Sequence, residues 1–506
     1  MPNSLYRFFE FVPASLAWST LILVVVASRY IPTAAAIFII LFDIYWLLKT
    51  IYLSLHLRYS FIKMRRYLKV DWLRRLEELS GAGDWRDIYH LVIFPMYKES
   101  YEVVRGSFDS LRQMNYPKDK FIVVLSAEER GGEEAKEILK KIGEEFGRDF
   151  FKFMTTVHPA DLPGELQGKG SHETWAAKEA KKIIIDPAGI DYEKILVSVF
   201  DVDTQVPPNY FGRLTYAFFT AEHPQRSSYQ PIPLFNNNIF EAPVMARVVA
   251  LSATFWHMMQ QARPERLRTF SSHSMPFKAL VEIGFWQEDI VSEDSRIFWQ
   301  CYLHYNGDWR VVPLFYPVSM DANVAPTFWG TMANIYRQQR RWGWGIENIP
   351  YILHGFVKNK AIPLKKKLYW SFHEVEGFHS WATNALIIFA LGWLPIFLGG
   401  EIFNETILSF SLPKITRTIM TLAMVGIASS AILGLILLPP KPDWFKRRHY
   451  LLYLLQWLFI PVSLIVFGAF PALEAQTRLM LGGRFRLDYW FTPKHRRKPV
   501  ARKEEV

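Results

Sequence analysis

Charged residues are absent from long stretches near both ends of the chain, where apolar residues dominate. The four stretches without any charged residue are Phe11–Ser28, Ser380–Gly400, Thr418–Pro440 and Tyr450–Leu473. A fifth stretch, Ile31–Leu48, contains Asp43 as its only charged residue. Because about 20 apolar residues suffice for a helix to span a bilayer, the pattern predicts two spans before residue 57 and three after residue 378.

The middle of the chain, residues 86–328, alternates short apolar runs with helical patterns. Apolar runs rich in β-branched and aromatic residues occur at Tyr89–Phe94, Phe121–Leu125 and Ile195–Phe200. Such runs are typical of strands that are buried on both faces of a sheet. Helical patterns at Tyr101–Met114 and Glu133–Phe146 lie between them. Strands that alternate with helices predict a parallel, doubly wound α/β sheet.

Positive charge is concentrated beside the apolar stretches. The net charge is +11, and Lys and Arg cluster at 58–75, 358–367 and 441–448. Basic residues that flank spans mark the cytoplasmic side and attract anionic lipids. We therefore expect an integral protein of the plasma (inner) membrane with a cytoplasmic middle domain and no nucleic-acid partner. Cys301 is the only cysteine, which excludes an intrachain disulfide and agrees with a cytoplasmic domain.

The basic C-terminal tail conflicts with this count of spans. Two spans before the domain and three after it would place the tail on the outer side. The tail carries Lys494, Arg496 and Arg497 and should lie inside. We expect it inside, with residues 448–482 forming a hairpin broken near Pro461 or Pro471.

Polar residues follow each predicted strand, at the end where open α/β sheets bind their ligands. These strand-end residues are Pro95, Tyr97, Glu99, Glu128, Asp201 and Asp203. Asp201 and Asp203 are two apart in an extended chain, so both carboxylates face one side. Paired carboxylates favour a hard cation such as Mg²⁺ or Mn²⁺. The alternative is an ordinary strand-to-turn boundary, where Asp is common.

Two later segments add further candidate chemistry. Ser292-Glu293-Asp294 offers a carboxylate that could act as a general base, or Asp294 could instead cap a helix. The segment 338–342 combines an arginine suited to phosphate with a tryptophan suited to stacking on a sugar. Its alternative is an anchor at the membrane interface.

Taken in order, these motifs resemble those of the processive membrane glycosyltransferases of family 2, the group of cellulose, chitin and hyaluronan synthases. The resemblance covers roughly residues 88–345 and the flanking apolar stretches. The matching motif residues are Pro95, Tyr97, Glu99, Asp201, Asp203, Asp294, Gln338, Arg341 and Trp342.

Three further segments match this family more loosely. Gly168-Lys169-Gly170 is similar to a segment whose lysine contacts the nucleotide sugar, which implies that role for Lys169. Glu128 stands near the position where the family has an aspartate that reads uracil. Phe491-Thr492-Pro493-Lys494 is similar to the gating loop of cellulose synthases.

The resemblance implies a GT-A-like, Rossmann-type α/β domain inserted between transmembrane helices. We expect a transmembrane hairpin at 1–56, the transferase domain at 57–345, interface helices at 346–378, further spans at 379–482 and a basic tail at 483–506. The implied activity is an inverting, metal-dependent transfer from a nucleoside diphosphate sugar, expected to be a UDP-sugar, to a growing polysaccharide. The alternatives are a single transfer to a lipid acceptor, and a transporter or scaffold with a degenerate transferase domain.

In the implied mechanism, each motif has one role. Asp201 and Asp203 would hold Mg²⁺ or Mn²⁺ against the diphosphate, and Arg341 would add a positive contact. Asp294 would take the proton of the acceptor hydroxyl. Trp342 would stack on the acceptor sugar.

Overall fold

The centre of the protein is a mixed β-sheet covered by helices on both faces. A computed structural model describes residues 4–79, 83–493 and 496. Within this part of the chain the sheet has seven strands in the order β3-β2-β1-β4-β6-β5-β7. The strands are β1 (Tyr89–Met96), β2 (Phe121–Glu128), β3 (Lys152–His158), β4 (Ile195–Val199), β5 (Ser227–Phe235), β6 (Ser274–Pro276) and β7 (Arg310–Met320).

The three strands predicted from apolar runs form the centre of the sheet. Strand β1 pairs in parallel with both β2 and β4, which confirms the predicted parallel arrangement for this half. Strand β3 was not predicted. It lies at the edge beside β2 and is only partly buried, so it lacks the continuous apolar run of its neighbours.

The other half of the sheet corrects the prediction of an entirely parallel sheet. Strand β6 is antiparallel to β4 and β5, whereas β5 and β7 are parallel to each other. Prolines interrupt β5 and β7, at Pro231, Pro233, Pro313 and Pro317. The register shifts between Gln230 and Ile232, because proline cannot donate a ladder hydrogen bond and is tolerated at bulges and edges.

Helices surround the sheet and extend from it into an apolar bundle. Their bounds are α1 (Ser4–Tyr30), α2 (Pro32–Tyr67), α3 (Trp72–Glu77), α4 (Tyr101–Arg112), α5 (Gly132–Phe146), α6 (Lys169–Ala180), α7 (Tyr210–Thr220), α8 (Val244–Gln261), α9 (Phe277–Glu282), α10 (Glu293–His304), α11 (Phe328–Gly343), α12 (Asn348–Lys358), α13 (Leu364–Phe389), α14 (Leu394–Leu398), α15 (Gly400–Asn404), α16 (Ile407–Ile436), α17 (Arg447–Leu455), α18 (Ile460–Leu464) and α19 (Phe470–Leu481).

Each face of the sheet has its own apolar core. Val92 and Phe94 of β1 pack on one face with α4, α5 and α7. Leu91 and Ile93 of the same strand pack on the opposite face with α6 and α10. Successive side chains of a strand point to opposite faces, so the continuous apolar run of β1 supplies both cores. The sheet is thereby fixed on both sides, and its strand ends are held in place.

Among the residues that the structure describes, four helical segments are long and apolar enough to cross a membrane. They are α1, α2, α16 and the segment Arg447–Leu481, and a fifth arises if α13 and Leu391–Leu398, which meet at a 47° bend, count as one span. Helix α2 runs on to Tyr67, beyond the expected boundary at residue 56. The basic residues that follow the second apolar stretch, as far as Tyr67, therefore belong to helix α2 itself.

The last helical segment, Arg447–Leu481, begins and ends against the domain. Near its start, Arg247 Nε of α8 donates to Gln456 Oε1 at 2.8 Å. Near its end, Ala472 packs on Gly343 of α11. The predicted hairpin at 448–482 is not formed: Arg447–Leu481 is one helical run of 35 residues, with a 3-10 turn and a π turn before Pro461 and Pro471. Because both ends contact the domain, the tail that follows lies on the domain side of the bundle.

Candidate active site

The candidate active site lies at the carboxyl ends of β1, β2 and β4, where the N-termini of α6 and α10 also meet. Lys169, in the first turn of α6, occupies its centre. Its Nζ lies 2.8 Å from Asp201 Oδ1 and 2.9 Å from Asp294 Oδ1. Two further carboxylates, those of Glu173 and Glu293, lie 3.2 and 3.7 Å away. Three of the predicted site residues therefore come together here, because the ammonium group of Lys169 contacts both Asp201 and Asp294.

Burial makes this charge cluster unusual. Glu173 is completely buried and Glu293 is 2% exposed. Burial raises the pKa of Glu173 well above its ordinary value, and the pKa of Glu293 to about 8, with Asp294 adding to the second effect. Burial alone would lower the pKa of Lys169, but the surrounding carboxylates raise it by more than burial lowers it. The pKa therefore lies well above its ordinary value, and the lysine stays charged.

Helix α10 holds Asp294 in place from its first turn. The helix begins at Glu293, and Ser292 occupies the capping position, so Asp294 is not its cap. Ser292 itself is held by Glu347, which accepts hydrogen bonds from its backbone N–H at 3.0 Å and its hydroxyl at 2.6 Å. The Nδ1 atom of buried His273 lies 3.9 Å from Asp294 Oδ1. The carboxylate of Asp294 is thus fixed by its surroundings, yet it is 23% exposed and accessible to a substrate.

Asp203 lies deeper than Asp201 and is held by a residue that sequence reasoning missed. It is fully buried, and its Oδ2 accepts the backbone N–H of Asp321 at 2.9 Å. Asn237 Nδ2 donates to the Asp203 carbonyl at 3.0 Å and to Asp321 at 3.1 Å. Asp321 directly follows the end of β7. The same strand-end rule could have found it, had β7 been recognised despite its prolines.

Pro95, Tyr97 and Glu99 form the turn after β1. The backbone N–H of Tyr97 donates to Glu99 Oε2 at 2.8 Å, and Glu99 is buried. The turn therefore uses Glu99 to fix its own backbone beside the site.

Glu128 ends β2 and lines a cavity of about 270 Å³ between the ends of β2 and β3. Its carboxylate is paired with Arg130, and burial raises its pKa. His158 and Glu165 line the same cavity, with His158 Nε2 2.9 Å from Glu165 Oε2. The cavity is polar and adjoins Gly168, immediately before Lys169.

The three residues of the last motif lie along α11. Gln338 Oε1 accepts a long hydrogen bond of 3.4 Å from Asn323, and the Trp342 ring lies 6.0 Å from the ring of Phe235. Arg341 has its guanidinium 5.5 Å from the Tyr489 ring. The field of Arg341 also reaches Glu293, where it lowers the pKa that burial raises. Arg341 therefore lies on the side of the cluster towards the tail.

The C-terminal tail crosses this site. The Tyr489 ring lies so close to Gly168 that a Cβ there would be 2.9 Å from Tyr489 Cγ. The Phe491 ring is 5.2 Å from that of Tyr97, and Thr492 is buried. Arg496 Nη2 and Nε contact the Asp321 carboxylate at 2.7 and 3.0 Å. Lys494, the last residue of the predicted gating-loop motif, lies outside the described residues.

The donor atoms of the site fit a divalent cation bound to a diphosphate. Asp201 and Asp203 offer hard carboxylate oxygens at one strand end, the ligand type that Mg²⁺ and Mn²⁺ prefer. Glu173, Glu293 and Asp294 also bring their oxygens within 4.8 Å of one another. Lys169 contacts both groups, at 2.8 Å from Asp201 and 2.9 Å from Asp294, so it lies between the two candidate cation sites.

Comparisons with known proteins agree with this picture at the level of family. The family model described as glycosyl transferase family group 2 matches residues 196–472, more than half of the chain. A search of curated protein sequences gives no significant match. With the mixed α/β sheet between apolar helices, the family match confirms the predicted GT-A-like domain.

Two solved structures are similar to this chain at low sequence identity. The mannosyltransferase PcManGT from Pyrobaculum calidifontis, in complex with GDP-Man and Mn²⁺, is 15% identical with a TM-score of 0.42, covering 78% of this chain and 99% of that one. S. aureus TarS 1–349 with UDP-GlcNAc is 12% identical with a TM-score of 0.37, covering 68% and 90%.

Proposed function

Because this chain belongs to glycosyl transferase family group 2 and is therefore a glycosyltransferase that uses a nucleotide-sugar donor, we propose that it extends a polysaccharide at the cytoplasmic membrane face with inversion at the sugar. The observation that carries this proposal is the position of Lys169 between Asp201 and Asp294, at 2.8 and 2.9 Å. A donor-side carboxylate and a candidate base are thereby held within reach of one reacting centre.

Asp201 and Asp203 would hold the divalent cation against the diphosphate of a UDP-sugar. When bound, the cation neutralises charge that develops on the leaving diphosphate. Arg341, on the tail side of the cluster, would add a guanidinium contact to the same phosphates. Glu128 and the polar cavity beside Gly168 would receive the nucleoside.

Asp294 would act as the general base. Its carboxylate takes the proton of an acceptor hydroxyl while that oxygen attacks the anomeric carbon. The new glycosidic bond forms as the bond from this carbon to the diphosphate breaks, so a single displacement inverts the centre. Trp342, beside Phe235, offers an aromatic face on which the acceptor sugar would stack.

The arrangement of the apolar helices supports a membrane-bound enzyme with its domain in the cytoplasm. Helix α2 ends on the domain side with the basic pair Arg65 and Arg66. The tail returns to this same side. Basic residues on the domain side support a cytoplasmic orientation by the positive-inside rule.

A donor screen tests this function directly. The purified full chain would be incubated with UDP- and GDP-sugars, and nucleotide release measured with Mn²⁺, with Mg²⁺ and with EDTA. We expect release from a UDP-sugar that needs the cation, and a polymer ladder on a gel. One discrete glycolipid would instead support single transfer to a lipid. No release from any donor with either metal would contradict the proposal.

A further inference from the structure

A groove between α1 and α19 lies at the membrane-facing surface, away from the candidate active site. Its volume is about 380 Å³, and its apolar lining includes Trp18, Phe470, Leu473 and Phe485. Trp18 is 40% exposed and Phe470 is 46% exposed. Helix α1 is itself long and apolar enough to cross a membrane, so a groove on its surface faces lipid chains rather than water.

Positive charge prevails at the domain end of this groove. Arg478 lines it, and Arg484 lies over the Phe485 ring at 5.1 Å. The charged residues that line the groove are Arg478 and Glu474. Their ion-pair partner and the charged residues at the ends of α1 and α19 bring the set to five arginines and two glutamates, namely Arg7, Arg340, Arg478, Arg484, Arg486, Glu10 and Glu474. Arg7 donates to the carbonyl of Leu479 at 3.0 Å, so these charges gather where α19 ends. An apolar groove that ends in excess positive charge matches an acyl chain that ends in a phosphate.

Arg478 is the arginine best placed to contact such a phosphate. Its Nε donates to Glu474 Oε1 at 2.7 Å, and about a third of its side chain, 33%, remains exposed. That ion pair fixes the guanidinium at the lining of the groove, because Glu474 lines it as well. Guanidinium groups bind phosphate through paired N–H donors, and anionic headgroups are enriched on the cytoplasmic leaflet.

The groove is connected to the candidate active site through Glu474. This carboxylate also accepts hydrogen bonds from Tyr336 at 2.8 Å and Arg340 at 2.7 Å, both on α11. The same helix carries Arg341 and Trp342. A phosphate bound to Arg478 would therefore affect Glu474, whose hydrogen bonds to Tyr336 and Arg340 join α19 to α11.

We propose that this groove is a binding site for an anionic phospholipid, which stays bound as an unconsumed ligand and steadies α11 for catalysis. The binding site stands on the groove and its arginines alone. The effect on catalysis rests on the proposed transfer function, so the two parts are tested by separate measurements.

Binding is tested on the purified full chain by native mass spectrometry, with phosphatidylglycerol and phosphatidylcholine of the same acyl chains. We expect a clear preference for phosphatidylglycerol. Arg478→Gln keeps an N–H donor for Glu474 but loses the charge, and should weaken phosphatidylglycerol binding by about tenfold or more. Leu481→Glu places a negative charge at an exposed position of the groove and should weaken it too.

The matched control is Arg148→Gln, which removes one charge from an exposed position of the α/β domain, outside the basic clusters beside the apolar stretches. It should bind phosphatidylglycerol as the unaltered chain does. Equal binding of the two lipids, or unchanged phosphatidylglycerol binding in both groove variants, would overturn the site.

The catalytic effect is tested in vesicles of phosphatidylcholine with and without phosphatidylglycerol. We expect nucleotide release to rise several-fold with phosphatidylglycerol, and this rise to be lost in Arg478→Gln. A lipid-independent rate overturns the coupling and leaves the transfer function intact. A chain that binds the lipid but releases no nucleotide from any donor contradicts the transfer function instead. Recovery of sugar attached to phosphatidylglycerol would show a consumed acceptor and overturn the proposal.

Discussion

At the scale of single residues, Lys169 balances the charge of the candidate site. It is 8% exposed and contacts Asp201, Asp294 and Glu173 within 3.2 Å. Removing one partner from a buried charge network leaves the others uncompensated, which costs about 3–5 kcal/mol. The lysine is therefore expected to support folding as well as donor binding.

Replacing Lys169 by methionine should lower the free energy of unfolding by about 3–5 kcal/mol near neutral pH, because the carboxylates lose their cation. The loss should be smaller at pH 5. The pKa of Glu293 is already raised to about 8 in the folded state. Between the ordinary pKa of a glutamate and pH 8, Glu293 is therefore protonated in the folded state and ionised in the unfolded state. Stability therefore falls as pH rises from about 4.5 to 8, more steeply without the lysine.

Denaturant unfolding of the domain, followed by tryptophan fluorescence at pH 5 and pH 8, measures this difference. Lys178→Met on the same helix is the control, because Lys178 is exposed and pairs with Glu288 at the surface. Its effect should stay at about 1 kcal/mol or less. Equal losses for the two variants would contradict the central role of Lys169.

Asp294→Asn should abolish sugar transfer while donor binding is kept. Loss of a general base costs about 10²–10⁴-fold in turnover, and the amide cannot accept the proton of the acceptor. Turnover is measured by nucleotide release with saturating donor and metal, and binding by calorimetry. Asp289→Asn, a change at an exposed position before the same helix, should leave both unchanged. Near-normal turnover in Asp294→Asn would refute the assignment of the base.

At the scale of elements, the site depends on how closely α6 approaches α10. Gly170 on α6 has no room for a side chain, since a Cβ would lie 2.9 Å from the Gln287 carbonyl oxygen and 3.0 Å from Glu293 Cβ. Both neighbours belong to the loop and first turn that carry Asp294. The absence of a side chain at 170 thus sets the spacing between Lys169 and the candidate base.

Gly170→Ala should therefore separate the two helices and reduce turnover at least about tenfold, with a stability cost of about 1–3 kcal/mol from overpacking. Gly377→Ala is the matched helical control, because a Cβ there meets nothing within 4 Å. It should be neutral, or more stable by up to about 1 kcal/mol. Thermal unfolding and nucleotide release measure both effects, and equal behaviour of the two variants would refute the close-approach argument.

The sequence predicts those elements whose pattern of apolar residues matches their burial in the fold. Strands β1, β2 and β4 are apolar on both faces and were found; the edge strand β3 and the proline-containing β5 and β7 were not. At the site, Asp201 and Asp294 stood out through motifs. Glu173 did not, because a buried glutamate in a helix looks in sequence like a surface residue.

At the scale of the whole molecule, the chain returns to the domain after its last apolar segment. Helix α13 leads away from the domain, because Gly399, which follows it, lies beside Pro32 at the far turn between α1 and α2. Helix α16 leads back, because Asn236 of the domain contacts the carbonyl of Leu437 just after this helix. The segment Arg447–Leu481 then starts and ends on the domain side. The odd number of apolar stretches is thereby reconciled with a tail on the domain side of the bundle.

Labelling of single introduced cysteines tests this path. Ile402→Cys, at an 89% exposed position between α13 and α16, should react with an impermeant maleimide on intact cells. Pro493→Cys in the tail should react only after permeabilisation. The unaltered chain is the control and should stay unlabelled, because Cys301 is buried and burial raises the pKa of its thiol. Labelling of Pro493→Cys in intact cells would contradict the inside tail.

The route of the tail also decides where a purification tag can be placed. Arg496 contacts Asp321, whose backbone N–H donates to the metal-site candidate Asp203. A polyhistidine tag joined after residue 506 would therefore follow ten residues after a side chain of this site. Imidazole groups bind Mn²⁺ and would compete for it. A tag placed before Ser4 avoids this, because Arg7 near the start of α1 lies against the end of α19 instead. Metal titrations are therefore best made with the tag at the amino end.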